Sequence, residues 1–276
     1  MKLVKCLLFG LCFLLISGAA DQKTITFSDG TTCGMEGTAK SKSGKALNRL
    51  KNRFNIPKKS DIDPDVSLAA MLAPGDDHSR WDDDKAAKIV GFCIDVIKGG
   101  KGESCNCKAT APIDCDTHIE LALHKTAPDI QRVIVEVTPR LRQQMKAKGT
   151  DWTSEKLRDI DGGIRGEWVE ITGWLMFDTI HADEAENTHP GGEHNWRATA
   201  WEIHPVTGIK ILDGPPADAH DLHPNHLRAF QRSMVRTLDR EPARRDAMRA
   251  KIKAMKDEFD PEELMEDRPA SRRRDR

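Results

Sequence analysis

From residue 88 to residue 212 apolar side chains repeatedly fall on alternate positions, the period of a pleated strand with one face buried. "DTHIELALH" (116–124) puts Ile119, Leu121 and Leu123 on one face, and Asp116, His118 and Glu120 on the other. "QRVIVEVTPR" (131–140) sets Val133, Val135 and Val137 against Ile134, Glu136, Thr138 and Arg140. "KIVGFCIDVIK" (88–98) carries Gly91 inside it, as expected where a strand bends sharply. "EWVEITGWLMFD" (167–178) is a fourth strand with Gly173 in its middle, and residues 197–212 supply a fifth, broken in two by Pro205 and the turn pair Thr207-Gly208. A helix over 153–160 falls between the third and fourth, with Thr153 or Ser154 as its cap and Leu157 and Ile160 facing inward. Long strands bent at glycines are what a small barrel needs to turn its corners. The predicted fold is therefore mainly β, a five-stranded OB-like Greek-key barrel with a helix between strands three and four. A β-sandwich with one helix is the competing architecture.

The flanks differ in character. Hydrophobic residues make up 38% and charged residues 32%, so a core forms only where the apolar residues concentrate, which is residues 86–213. A net charge of −1 argues against wholesale electrostatic binding of duplex DNA. Residues 1–20 pair Lys2 and Lys5 with an apolar run and end in Ser17, Gly18, Ala19 and Ala20, the pattern of a cleaved signal peptide. Residues 21–85 read as an N-terminal extension in two blocks. Residues 37–60 carry eight Lys and Arg and no acid, and 61–84 carry eight Asp against Arg80. The blocks pair with each other, form a solvated arm, or bind phosphate. Two amphipathic helices are predicted over 224–260: one stripe is Leu227, Phe230, Met234 and Leu238, the other Met248, Ile252, Met255 and Phe259. They pack on the barrel or on a partner, and an oligomer through them is expected. Residues 261–276 end in a basic tail expected to be disordered.

An exported chain forms disulfides by default, and five cysteines follow residue 20: Cys33, Cys93, Cys105, Cys107 and Cys115. Cys105, Cys107 and Cys115 read either as disulfide partners or, with His118, as a Cys₃His zinc site. In an OB-like barrel the loops 99–115 and 178–197 flank the binding face. The second holds His181, His189 and His194 among Asp183, Glu184, Glu186 and Glu193, and strand five adds Glu202 and His204 two positions apart. Imidazole with carboxylate is the donor set of a divalent metal such as zinc, so His181, His194, Glu202 and His204 are the candidate ligands. Asn106, His118, Glu136, Arg140 and Trp201 are the candidate binding residues. Trp152, Trp196 or Trp201 would stack on a ligand, and Arg140 would supply charge.

The motifs "ESCNC" (103–107), "DTHIEL" (116–121), "VEVTPR" (135–140), "GWLMFD" (173–178) followed by His181, and "WEIHPV" (201–206) resemble those of a group of exported bacterial proteins that have no assigned activity. The resemblance spans about 46–212 and implies a joint role for His118, Glu136, Arg140, Asp178, His181, Glu202 and His204. Staphylococcal-type nucleases share the strand order and compartment, but their catalytic spacing of arginine, glutamate and arginine is not visible here, so the similarity is one of fold only. Three functions are in play. The first is an exported module binding an anionic small molecule, a nucleic acid or a saccharide. The others are a metal-dependent hydrolase, with phosphodiesters as its candidate substrates, and a structural domain whose motif residues lock the barrel.

Overall fold

In the computed structural model, residues 24–215 and 242–260 are described, with the side chains of 242–245 left aside. The expected signal peptide, the first C-terminal helix and the basic tail lie outside them. Five long strands close into a barrel: β3 (Ala86–Lys98), β4 (Thr117–Ala122), β5 (Val133–Val137), β6 (Trp168–Phe177) and β7 (Trp201–Leu212). Around the barrel their order is β3-β4-β5-β7-β6, returning to β3. Every pairing is antiparallel except β5 with β7, where Val135 lies opposite Ile203 in a parallel contact. Closure leaves the barrel without an edge strand.

The period-2 pattern explains both faces of this wall. Ile119, Leu121, Val133, Val135, Val137, Ile171, Leu175 and Ile203 point inward and share one buried apolar cluster. Alternation then turns His118, Glu136, Met176, Glu202 and His204 to the outer face. In most barrels that face meets water; here it is covered. Met176 packs against Leu47 of α1 (Lys42–Lys51) and Phe259, which follows α5 (Pro242–Glu258).

Three sequence expectations need correction. The third strand stops at Val137, because Thr138 caps a helix, accepting at Oγ1 from the Leu141 N–H, and Pro139 occupies the first helical position. Arg140 therefore belongs to α3 (Pro139–Ala147), a helix the strand-like alternation concealed. The next helix, α4 (Ser154–Arg158), has its cap at Thr153 and buries Leu157, but Ile160 is 86% exposed beyond its end. The fifth strand is not broken at Pro205. β7 runs through a cis His204-Pro205 bond, and the mismatch is absorbed as register slips opposite Gly173. Gly173 is required there: a Cβ would sit 2.3 Å from the Pro205 carbonyl oxygen.

The N-terminal segment is built onto the barrel. A two-residue-strand hairpin, β1 (Ile25–Thr26) with β2 (Thr32–Cys33), precedes α1, and α2 (Leu68–Met71) follows. Leu68, Met71 and Trp81 enter the barrel's own apolar cluster. Of the C-terminal stripe, Ile252 and Phe259 are buried against this same chain, and Lys256 bonds Asp183 at 2.6 Å. No helix among the described residues is long and apolar enough to cross a membrane.

Candidate metal centre

Register brings the outer-face polar residues together. His118 on β4 stands directly opposite Glu136 on β5, and its Nε2 lies 2.8 Å from Glu136 Oε1. The β5–β7 contact sets Glu202 and His204 beside them. His204 Nδ1 is 3.2 Å from Glu202 Oε2 and 3.7 Å from Glu136 Oε2, and His204 Nε2 is 3.6 Å from Asp116 Oδ2. Asp116 shares the outward parity of His118, one residue ahead of β4. Neither Asp116 nor His204 has measurable exposure, and Glu136 and His118 are each 4% exposed.

From this nucleus ionisable groups continue in both directions. Towards loop 178–197, Glu202 Oε1 accepts from Arg197 at 2.5 Å, Arg197 reaches Asp178 Oδ2 at 3.2 Å, and Asp178 bonds His181 Nδ1 at 2.5 Å. Towards loop 99–115, Cys105 Sγ lies 3.8 Å from Asp116 Oδ2 and 3.5 Å from Glu103 Oε2. Thus the two loops are linked, but through a polar layer against the outer wall rather than across a barrel mouth.

The electrostatics follow from placing so many charges out of water. Burial pushes the Asp116 carboxyl up, an effect that His204 and Lys51 only partly oppose. Burial would lower both imidazoles, yet Glu136 and the neighbouring carboxylates hold His118 and His204 above the usual histidine value. Burial would likewise raise Glu136, but His118, His204 and Lys51 keep it well below the carboxylate range. Even so, several buried atoms lack a hydrogen-bond partner: Asp116 Oδ1, His118 Nδ1 and His204 Nε2. An unmet buried donor or acceptor costs ~1–3 kcal/mol, so three in one cluster invite a further group. Asp116, Glu136 and His204 each offer one ligand atom, all within 4.8 Å of one another, as do Glu103, Cys105 and Asp116.

The expected ligand set is thus rearranged. His204 stays, and Glu202 orients it from behind. His181 is buried in a pair with Asp178, edge-on to Trp196 at 5.5 Å, and His194 is exposed; neither joins a candidate metal group among the described residues. The cysteines separate as well. Cys107 is bonded to Cys33, and its left-handed backbone (φ 50°) turns it away from Cys105. Cys115 donates to the Ala111 carbonyl at 3.2 Å, and burial pushes its thiol up to about 11. A Cys₃His site is therefore not formed.

The candidate binding residues are all buried. Asn106 donates to Glu103 Oε2 at 3.4 Å. Arg140 points inward, donating to Asn52 Oδ1 at 3.1 Å and to the Cys33 carbonyl at 2.7 Å. Trp201 packs edge-on to Trp81 and Phe177 and donates to the Asp77 carbonyl at 2.7 Å. Trp152 and Trp196 are 6% and 8% exposed, so no tryptophan named for stacking presents a face to solvent. Sequence reasoning passed over Lys51, Asn52 and Glu103 as site residues. Lys51 belonged to an apparently solvated basic block, and nothing local signals its burial. Asp116 had a signal, its parity with His118.

Fold and site define a closed five-stranded β-barrel protein with a buried carboxylate–imidazole centre on the outside of its wall. No protein-family model matches the chain, and no curated protein matches it.

Proposed function

We propose that this is an exported, OB-like barrel protein that holds a divalent cation of the zinc class through Asp116, Glu136 and His204. The observation that carries the reading is the convergence of these three ligand atoms in a fully buried cluster where Asp116 Oδ1 and His204 Nε2 have no hydrogen-bond partner. A cation would satisfy both atoms. Glu202 behind His204 is the kind of partner that fixes a ligating imidazole. The barrel order and the helices between its third and fourth strands support the OB-like assignment. Export rests on the pattern of residues 1–20, with a disulfide compatible with it. The resemblance to exported proteins accords with this, since six of its seven implicated residues lie in the linked polar layer.

Hydrolysis needs a water and a substrate at the metal. Ligands no more than 4% exposed favour a cation held within the fold instead. The test is elemental analysis of the full chain made without a histidine tag. At least about one equivalent of divalent cation is expected, reduced by His204→Ala and by Glu136→Gln. Metal-free protein whose melting temperature does not respond to zinc would refute the assignment. The binding-module reading would then pass to an open groove of about 500 Å³, where Gln143, Lys146 and Thr153 beside Asp114 and Asp151 suit a hydroxylated ligand.

A further inference from the structure

We infer that the centre takes two cations bridged by Asp116, the second held by Glu103, Cys105 and Asp116. The inference rests on the single-cation reading above and extends it to a site on the cysteine-rich loop. Asp116 Oδ2 stands between the two groups, 3.6 Å from His204 Nε2 on one side and 3.8 Å from Cys105 Sγ on the other. Its second oxygen, Oδ1, is buried without a hydrogen-bond partner. A carboxylate placed so can give one oxygen to each of two cations, as in sites whose metals lie roughly 3.5–4 Å apart.

The distances within the second group fit a shared ion. Sulfur and oxygen ligands on one tetrahedral zinc, with bonds near 2.3 and 2.0 Å, stand about 3.5 Å from each other. Cys105 Sγ is 3.5 Å from Glu103 Oε2. The loop is also held in place. Asn106 Nδ2 bonds the same Glu103 oxygen at 3.4 Å, and Asn52 Nδ2 bonds the Cys105 carbonyl at 2.9 Å. The Cys33–Cys107 disulfide pins the residue two further on and leaves Cys105 facing Asp116. This accounts for the Cys-Asn-Cys spacing: adjacent cysteines serve different tasks on opposite sides of one turn.

Charge points the same way. Coordination requires the Cys105 thiol and the His204 imidazole each to give up a proton, and both protons leave to solvent. The thiolate with Glu103, Asp116 and Glu136 then carries four negative charges, equal to the charge of two divalent cations. A thiolate ligand selects softer metals, so the second site suits zinc rather than calcium or magnesium.

Cobalt(II) tests this with a signature that a structural role of Cys105 would not give. The full chain, refolded in excess cobalt(II) and desalted, should retain about two equivalents and show a near-ultraviolet thiolate-to-cobalt charge-transfer band. Cys105→Ser should abolish the band and leave about one equivalent, whereas Cys115→Ser should change neither. His204→Ala should lower the content to about one equivalent and keep the band. About one equivalent in the unmutated chain without the band overturns the second site while leaving the single-cation reading in force, and about one equivalent with the band overturns the bridged pair and the single-cation reading. No retained metal overturns both.

Discussion

Arg197 is fully buried, and its guanidinium touches two buried carboxylates, Glu202 and Asp178. Removing one member of such a group leaves the others charged and unsolvated. Asp178 shows what this means for pH. Burial pushes its carboxyl up, but His181, Lys51 and Arg197 outweigh burial and hold it well below the usual aspartate range. A depressed folded value stabilises the protein above the unfolded pKa of about 3.9, and that contribution is lost as pH falls through the folded value. Asp178→Asn should therefore cost most at neutral pH, about 3 kcal/mol, and progressively less below about pH 4. Urea unfolding of both proteins at about pH 7 and about pH 3.5 reads the difference, and an equal cost at the two would contradict it. At this scale the sequence was half informative: Glu202 and His204 declared a shared face, but not that the face would be covered.

Strands were legible because their inward residues alternate; what bends and ends them was less so. Five strands were placed within a few residues, yet α3 was hidden because Thr138 and Arg140 continue the alternation of β5 by coincidence. The β6–β7 pair shows a local rule overridden by packing. A proline inside a strand normally removes a ladder bond and ends it. Here the bare Gly173 on β6 leaves room for the Pro205 carbonyl, and β7 continues. Gly173→Ala would drive a methyl to 2.3 Å from the Pro205 carbonyl oxygen and 2.5 Å from Ile203 Cγ2. The expected cost is about 1–3 kcal/mol, with a melting temperature lowered by roughly 2–4 °C for each kcal/mol. Gly91→Ala meets chiefly the end of a side chain, Leu68 Cδ2 at 2.6 Å, rather than backbone, so it should cost less. Thermal melts of the two variants decide; Gly173→Ala melting with or above Gly91→Ala would show that β7 tolerates repacking.

For the whole molecule, the outer wall of the barrel stays dry only because distant segments lie on it. α1 and the 99–115 loop cover the charged cluster, and the Cys33–Cys107 disulfide ties the N-terminal hairpin to that loop across 74 residues of sequence. Closing so long a loop removes much chain entropy from the unfolded state. Cys33→Ser with Cys107→Ser should therefore lose up to about 4 kcal/mol. Because the tie lies over the centre, amides of β1, β2 and residues 99–115 should gain hydrogen exchange before those of β3 to β7. Uniform acceleration across the barrel would show that the covering layer and the wall unfold as one.

The order of residues was enough to determine the strand period, a helix start at Thr153 or Ser154 and the proximity of Glu202 to His204, since each depends on neighbours a few positions apart. Only the tertiary structure decided which cysteine pairs with Cys33, that Lys51 and Arg140 face inward, and that Asp116 joins His204. Those outcomes depend on which segments cover the outer wall, and the energy of covering it comes from contacts between residues far apart in the chain, where no local pattern records them.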